Sequence, residues 1–235
     1  MKIALLGYGK MGKAIEKVAI DRNHTIVAIQ EEKYLKGDLS KADVSINFST
    51  PKSAKDNIIQ SLKHSIPVVC GTTGWLNDFK FVQDYCLEKN SAFLYSANFS
   101  IGVNLFFKLN EFFAKLIAPY NEYKPSIKEI HHINKVDSPS GTAIKLSEII
   151  INNSNYKNWT LNKNYNKNEI PISVKRIGRN PGNHFISYNS LIDSIKIEHK
   201  ANSRLGFAIG AVIAAEWILN KKGIFNMDDI LNIKI

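Results

Sequence analysis

The sequence predicts an α/β fold in which a parallel-sheet domain is interrupted by an inserted α+β domain that contains an antiparallel sheet. The first observation is that short apolar runs alternate with helical segments over residues 1–100, the pattern of strand–helix–strand units. The second is a glycine-rich turn that joins the first apolar run to the first helical segment. The third is that after about residue 102 short strands follow one another through turns, which favours antiparallel pairing.

Five strands are predicted in the parallel-sheet domain. Each is an apolar run followed by a polar segment or by the start of a helix. Two amphipathic segments between them, "SAKDNIIQSLKH" and "LNDFKFVQDYCLEKN", are predicted helices. Pro51 stops the third strand, because proline lacks the N–H that a central strand donates. The strands are "KIALL", "HTIVAIQ", "DVSINFSTP", "IPVVCGTTG" and "AFLYSANFS".

The inserted part begins with a long predicted helix over 103–116, followed by the half-polar strand "PSIKEIHHIN". The Asn- and Lys-rich segment 152–168 is expected to be a loop or a ragged sheet edge. Three short strands, "ISVKRIG", "HFISYNS" and "DSIKIEHKA", are separated by turn residues and predict an antiparallel meander. The last predicted element is an apolar helix over about 208–220.

Composition and charge are those of a soluble globular protein, with 44% hydrophobic and 22% charged residues. No apolar run approaches the roughly 20 residues of a membrane span, and the apolar run at 3–6 is too short for a secretory signal. Cys70 and Cys86 form no CxxC motif, so a reducing cytoplasm is expected. The net charge of +10 comes mainly from scattered Lys, which favours a small anionic ligand over nucleic acid.

Gly7, Gly9 and Gly12 stand at GxGxxG spacing between the first strand and the first helix. In that context Gly7 permits a tight turn, Gly9 admits a pyrophosphate to the backbone, and Gly12 lets the helix pack on the strand. The free N–H groups of the helix start favour the negative charge. A Rossmann-type dinucleotide domain is therefore predicted, with a turn of purely structural function as the alternative. The same loop supplies three further candidate contacts, Tyr8, Lys10 and Met11.

Further cofactor contacts are predicted at the carboxyl ends of the parallel strands, where ligands bind in such sheets. Glu31 follows the second strand and could accept hydrogen bonds from the ribose of NADH, whereas Lys33 could meet the extra phosphate of NADPH. An exposed charged loop is the alternative for both residues. The two other strand ends contribute the candidates Gly71, Thr72, Thr73, Ser96, Ala97, Asn98 and Phe99.

The segment "EIHHINKVDSPSGTAIKLSE" contains the groups for acid–base chemistry on an anion. Histidine can donate a proton near neutral pH, and the lysine that follows can hold a carboxylate. Ser140, Gly141 and Thr142 precede an apolar helix whose N-terminus is a ready anion site, with Thr142 as the predicted N-cap. For His131 and His132 a surface or packing role is the alternative. No metal is expected, because no third ligand follows at zinc spacing.

Six blocks, taken in order, resemble the dihydrodipicolinate reductase family: "GYGKMG", "FSTP", "GTTG", "SANFSIGVN", "EIHHINKVDSPSGTA" and "IEHKANSRLGFAIGAV". The resemblance implies a dinucleotide-binding domain of residues 1–102 completed by 205–235. It also implies a substrate-binding and oligomerisation domain of residues 103–204, and a homotetramer. The reaction implied is NAD(P)H-dependent reduction of a cyclic imine dicarboxylate in lysine and diaminopimelate biosynthesis, with NADPH or NADH as the cofactor.

The same resemblance implies that His131 is the proton donor and that Lys135 is the second catalytic residue. Substrate carboxylates are then bound by His132, Ser140, Gly141 and Thr142. Two alternatives stay open from the residues alone. One is another Rossmann-fold dehydrogenase that acts on an amino acid or a semialdehyde, and the other is a non-catalytic dinucleotide-sensing module.

Overall fold

The computed structural model describes residues 1–31 and 34–233, which form two compact units. Unit 1 comprises Met1–Ile101 and Leu205–Ile233, and unit 2 comprises Gly102–Arg204. Each unit has its own sheet and its own hydrophobic core. Within the described ranges, no helix combines the length and hydropathy that a membrane span requires.

Unit 1 is built on a seven-stranded sheet in the order β12-β6-β5-β4-β1-β2-β3. Every neighbouring pair is parallel except β2 with β3. The strand order reverses between β1 and β4, and such a switch point is where ligands bind in open α/β sheets. The strands are β1 (Lys2–Leu6), β2 (Thr25–Glu31), β3 (Tyr34–Gly37), β4 (Val44–Asn47), β5 (Val68–Cys70), β6 (Ala92–Tyr95) and β12 (Gly223–Phe225).

Five helices belong to unit 1: α1 (Lys10–Asp21), α2 (Pro51–Lys63), α3 (Phe79–Glu88), α6 (Leu205–Ile218) and α7 (Met227–Leu231). Helix α6 is rich in small apolar residues, and Ala208, Ala211 and Ala215 are fully buried. At Gly210, helix α6 lies directly against the backbone of Phe99, because an added Cβ there would be 1.7 Å from the Phe99 carbonyl oxygen. This contact fixes the turn that follows β6.

Unit 2 has a five-stranded sheet in the order β11-β10-β7-β9-β8. Strand β10 is antiparallel to β7 and β11, while β9 is parallel to β7 and β8. The elements are α4 (Ile101–Ile117), α5 (Gly141–Asn152), β7 (Lys124–His131), β8 (Asn158–Thr160), β9 (Glu169–Arg176), β10 (Asn183–Asn189) and β11 (Ser194–Lys200).

The predicted fold class is confirmed, but the predicted meander is wrong in part. Of the three strands predicted to form it, β10 and β11 pair as a hairpin, whereas β7 lies between β9 and β10 and separates them. The short strands β3, β8 and β12 were absent from the prediction. Each has three or four residues, too few for an alternating pattern to stand out from a loop.

Candidate functional site

The glycine turn of unit 1 has the geometry of an open helix N-terminus. Gly7 has a φ of +102°, and a Cβ there would lie 2.3 Å from the carbonyl oxygen of Phe48, just beyond β4. Gly9 is the N-cap of α1 without a side-chain cap, and the space beside its Cα is open. A Cβ on Gly12 would lie 2.3 Å from the Gly7 carbonyl oxygen. The first turn of α1 therefore keeps donors that an anion can reach.

The three other candidate residues of the glycine turn differ in their surroundings. Lys10 is exposed and Met11 is partly buried against the unit 1 core. The Tyr8 hydroxyl donates a hydrogen bond to Glu16 of α1, and this bond raises the pKa of Tyr8. Tyr8 is therefore held against the helix. The exposed Glu31 ends β2, and Lys33 lies outside the described residues.

Hydrogen bonds fix the other two predicted cofactor segments. The Thr72 hydroxyl accepts a bond from the Ser49 amide at 2.8 Å, and Thr73 is exposed. The Ser96 hydroxyl donates to the Asn98 carbonyl at 2.8 Å, which closes a tight turn. Two of the predicted cofactor contacts offer no accessible side chain. Gly71 has none and lies against the Phe48 ring, and the Phe99 ring is 1% exposed in the core.

Unit 2 gathers ionisable side chains from three adjacent strands around the buried carboxylate of Glu129. Glu129 and His131 share the buried face of β7, since strand residues two apart point the same way. Across the sheet, Glu129 pairs with His184 on β10, and His131 pairs with Arg176 on β9. The register of the sheet therefore places side by side residues that are about 50 positions apart in the sequence. Glu129 is fully buried, whereas His131 and His184 are 7% and 4% exposed.

Arg176 fastens the loop 132–140 to this cluster. Both of its terminal nitrogens donate to Glu129 Oε1 at 3.1 Å. The same guanidinium also donates to the carbonyl oxygens of Lys135 and Asp137, at 3.3 and 2.7 Å. The Glu129 carboxylate in turn accepts the backbone N–H of Ser140 at 3.2 Å. One ion pair thus holds the loop and the start of α5.

His131 is oriented so that its two ring nitrogens differ. Nδ1 lies 3.4 Å from Glu129 Oε2, a charge contact without the alignment of a hydrogen bond. Nε2 points toward Gly182, whose positive φ of +149° and missing side chain leave room for it. Burial lowers the pKa of His131, and the Glu129 charge opposes that effect. Protonated His131 is therefore a stronger acid than an exposed histidine.

His184 packs edge-on against His131, with ring centroids 5.1 Å apart. Its Nε2 lies 3.2 Å from the Ser140 hydroxyl and 3.7 Å from Glu129 Oε2. Burial lowers the pKa of His184 to about 3, and His131 adds to the effect. His184 is consequently neutral at physiological pH.

The loop and helix after β7 carry the predicted anion-binding groups. Strand β7 ends at His131, so His132 is the first residue beyond it, and His132 Nε2 lies 2.9 Å from Arg204 Nη2. Lys135 donates to Asp137 Oδ1 at 2.8 Å, and its side chain is 21% exposed. Gly141 begins α5 with open space beside its Cα.

The predicted N-cap at Thr142 is wrong. Helix α5 begins two residues earlier, and its N-cap is Ser140, whose hydroxyl accepts the Ala143 amide at 3.2 Å. Ser140 is favoured because its own amide is bound by Glu129, which fixes the chain in the extended conformation that an N-cap adopts. Thr142 is therefore the second residue of the helix and is partly exposed.

The sequence argument against a metal site relied on a missing third ligand, and the fold supplies one. Ligand atoms of Glu129, His131 and His184 all lie within 4.8 Å of one another. The Glu129 carboxylate already accepts bonds from Arg176 and from the Ser140 amide. A cation there would have to displace the guanidinium.

Four residues of this cluster were missed by the sequence analysis: Glu129, Arg176, Gly182 and His184. Glu129 carried a usable signal, because its two-residue spacing from His131 puts a carboxylate on the same strand face as a histidine. The others come from β9, β10 and the turn between them. Their proximity depends on the strand order, which the sequence pattern did not give.

Comparisons with known proteins agree over the whole chain. Residues 1–99 match the family described as dihydrodipicolinate reductase, N-terminus, and residues 102–231 match the corresponding C-terminus family. A 4-hydroxy-tetrahydrodipicolinate reductase from Christiangramia forsetii is 48% identical over 99% of this chain and 98% of the relative. One from Thermosipho africanus is 35% identical over 98% of both.

A solved structure shares the fold. The dipicolinate-bound dihydrodipicolinate reductase from Paenisporosarcina sp. TG-14 superposes with a TM-score of 0.78 at 21% identity, covering 96% of this chain and 97% of that one. The two family matches together span nearly all of the sequence, in the order in which the two units begin. The chain therefore belongs to the dihydrodipicolinate reductase family.

Proposed function

We propose that this chain is a 4-hydroxy-tetrahydrodipicolinate reductase, an oxidoreductase that uses NADPH or NADH to reduce that cyclic imine to tetrahydrodipicolinate. The observation that carries the proposal is the 48% identity, over 99% of the chain, to a relative of that name. The buried Glu129–His131 pair, next to a loop with Lys135 and an open helix start, supports it chemically. The proposed role belongs to the cytoplasmic synthesis of lysine and diaminopimelate.

The opening at the start of α1 fits the pyrophosphate of a dinucleotide. A Cβ at Gly9 would enter free space, so a ligand can approach the backbone there, and no side chain caps the first turn of the helix. When bound, the nicotinamide supplies the hydride. Glu31 is the proposed ribose contact, and the polar turns at 71–73 and 96–99 are proposed to line the nicotinamide end.

His131 is proposed to deliver the proton that follows hydride addition to the substrate ring. Loss of the 4-hydroxyl group as water gives a conjugated cyclic imine, and addition of a hydride to that ring leaves an enamine or carbanion, which must take up one proton. The Nε2 edge is the one available, since Nδ1 is buried against Glu129. Burial lowers the pKa of His131, whereas two substrate carboxylates nearby favour the imidazolium. Substrate binding and protonation of His131 therefore reinforce each other.

Lys135 and the start of α5 are proposed to hold the negative charge of the substrate. Lys135 keeps a partly exposed ammonium beside Asp137, and the Gly141 amide at the open helix start can donate to a carboxylate. The fixed loop supplies these donors without rearrangement, which is the main route by which a site stabilises developing charge. His132, Ser140 and Thr142 complete the proposed substrate contacts. A homotetramer is the proposed assembly.

The proposal is tested by following nicotinamide absorbance while the substrate is generated enzymatically. We expect turnover with the cyclic imine dicarboxylate and none with amino acids or semialdehydes. His131→Gln should lower kcat by about 10²–10⁴-fold, the usual contribution of general acid catalysis, and leave cofactor affinity unchanged. His64→Gln, at the exposed end of α2, is the matched control.

The pH dependence separates an acid from a binding residue. In the wild type kcat/KM should fall as pH rises, because the acid must be protonated, and His131→Gln should lose that dependence. Cofactor binding without turnover of any tested substrate would instead indicate a sensing module. A His131→Gln enzyme within threefold of wild type would remove His131 from its proposed role.

A further inference from the structure

Arg204 carries a positive charge that the described part of the chain does not neutralise. Its Nη2 lies 2.9 Å from His132 Nε2, and no carboxylate pairs with it among the described residues. Arg22 and Arg176 differ in this respect, since each binds a glutamate at 2.6 and 3.1 Å. Arg204 is also exposed, so a ligand can reach it.

The contact with His132 leaves most of the guanidinium free. Arginine has no acceptor and stays protonated, so His132 Nε2 must accept the bond and the ring is neutral in this arrangement. The neutral His132 ring accepts one N–H of Arg204 and does not neutralise the positive charge of the guanidinium. The remaining donors keep the planar fork that matches a carboxylate through two parallel hydrogen bonds.

The position of Arg204 relates this free fork to the proposed reaction. His132 follows His131 directly, and β7 ends between them. His131 contacts Glu129, and the Glu129 carboxylate accepts a hydrogen bond from the backbone N–H of Ser140, the N-cap of α5. Arg204 and the start of α5 are therefore connected to His131 through different neighbours, His132 and Glu129. A substrate with two carboxylates needs two anion sites around its proton donor.

We infer that Arg204, together with His132, binds one of the two substrate carboxylates, while the start of α5 binds the other. The inference rests on the proposed function and adds to it the residue that makes the site select a dicarboxylate over a monocarboxylate. A monocarboxylate would leave either this guanidinium or the helix start without a partner.

The test uses two stable aromatic probes, pyridine-2,6-dicarboxylate and pyridine-2-carboxylate, titrated calorimetrically into the wild type and its variants with saturating NADPH. For the wild type we expect the dicarboxylate to bind more tightly. Arg204→Gln should weaken the dicarboxylate by about 10- to 100-fold, as expected for loss of a charge-assisted hydrogen-bonded pair, and should weaken the monocarboxylate much less. Arg204→Lys should lie between, because lysine keeps the charge and loses the fork.

Lys163→Gln removes the same charge from an exposed position of unit 2 and should leave both affinities within twofold of wild type. If Arg204→Gln keeps the wild-type ratio of the two dissociation constants, the inference is overturned even though the enzyme turns over normally. If the wild type neither binds the dicarboxylate nor reduces the substrate, the proposed function fails with it. Melting temperature and NADPH affinity establish that each variant is folded.

Discussion

Replacing Gly182 with alanine tests whether the room beside His131 Nε2 matters for the reaction. A Cβ at Gly182 would lie 2.9 Å from that nitrogen, closer than such atoms approach in folded proteins. The imidazole cannot yield freely, because Glu129 lies against one side of it and His184 packs on the other. The substitution therefore displaces the ring, covers Nε2, or does both.

The size of the effect follows from this distance. Ordinary van der Waals contact begins at 3.4 Å, so Nε2 must retreat by about 0.5 Å. A misplacement of about 1 Å at a reacting group can lower the rate roughly 10²-fold, and half that distance predicts a fall in kcat of about tenfold. The positive φ of +149° adds backbone strain of about 1–3 kcal/mol to the folded state.

Gly178→Ala is the matched control for this strain. Gly178 also has a positive φ, +52°, but nothing lies within 4 Å of the added Cβ. Gly178→Ala should lose free energy of unfolding in urea through its backbone strain alone, Gly182→Ala should lose more because of the overlap with His131, and only Gly182→Ala should lose kcat in the nicotinamide assay. A Gly182→Ala enzyme whose kcat stays within twofold of the Gly178→Ala value would refute the assignment of Nε2 as the proton-bearing atom.

Three other predictions concern charge. Lys135→Ala should lower kcat and raise KM, each at least about tenfold, and a loss of thermal stability alone would mark Lys135 as a surface residue. The pKa of His184 is about 3 against 6.5 in the unfolded chain, so between these values only the unfolded state binds the proton. Urea titrations should therefore find stability falling by about 1.4 kcal/mol per pH unit below pH 6.5, and His184→Gln should remove that part of the slope. A ribose contact from Glu31 would favour NADH, whereas Lys33 and, less directly, Lys36 would favour NADPH, so the two KM values should agree within about tenfold, or about 1.4 kcal/mol. Added salt should weaken NADPH more, and a salt-insensitive preference above a hundredfold would assign specificity to other residues.

Much of the parallel sheet could be predicted because its signals are local. A buried strand reads as an apolar run, and GxGxxG between strand and helix allows few other structures. Gly7 and Gly12 indeed sit where a Cβ would meet backbone 2.3 Å away. The N-cap of α5 was misjudged by two residues, since Ser140, Gly141 and Thr142 suit a helix start almost equally. Ser140 is the N-cap because its backbone N–H is bound by the Glu129 carboxylate, which belongs to strand β7.

The centre of the candidate site in unit 2 could not be predicted in the same way. Glu129 meets Arg176 and His184 only because β7 lies between β9 and β10, and the sequence pattern suggested instead that β9 and β10 were neighbours. The choice between these sheets depends on side chains from the whole unit packing together, not on any one segment.

The Glu129–Arg176 pair is explained better by positioning than by stability. Taking both charges out of water costs several kcal/mol, and their attraction inside the protein often returns no more than that. An apolar pair of similar size would stabilise the sheet as well. It would not hold the Lys135 and Asp137 carbonyls, the Ser140 amide and the His131 ring in fixed places, as this pair does. A single buried carboxylate therefore sets the relative positions of the proposed acid, the proposed cation and the anion-binding helix start. Preorganisation of this kind lowers the barrier of a reaction without requiring further movement.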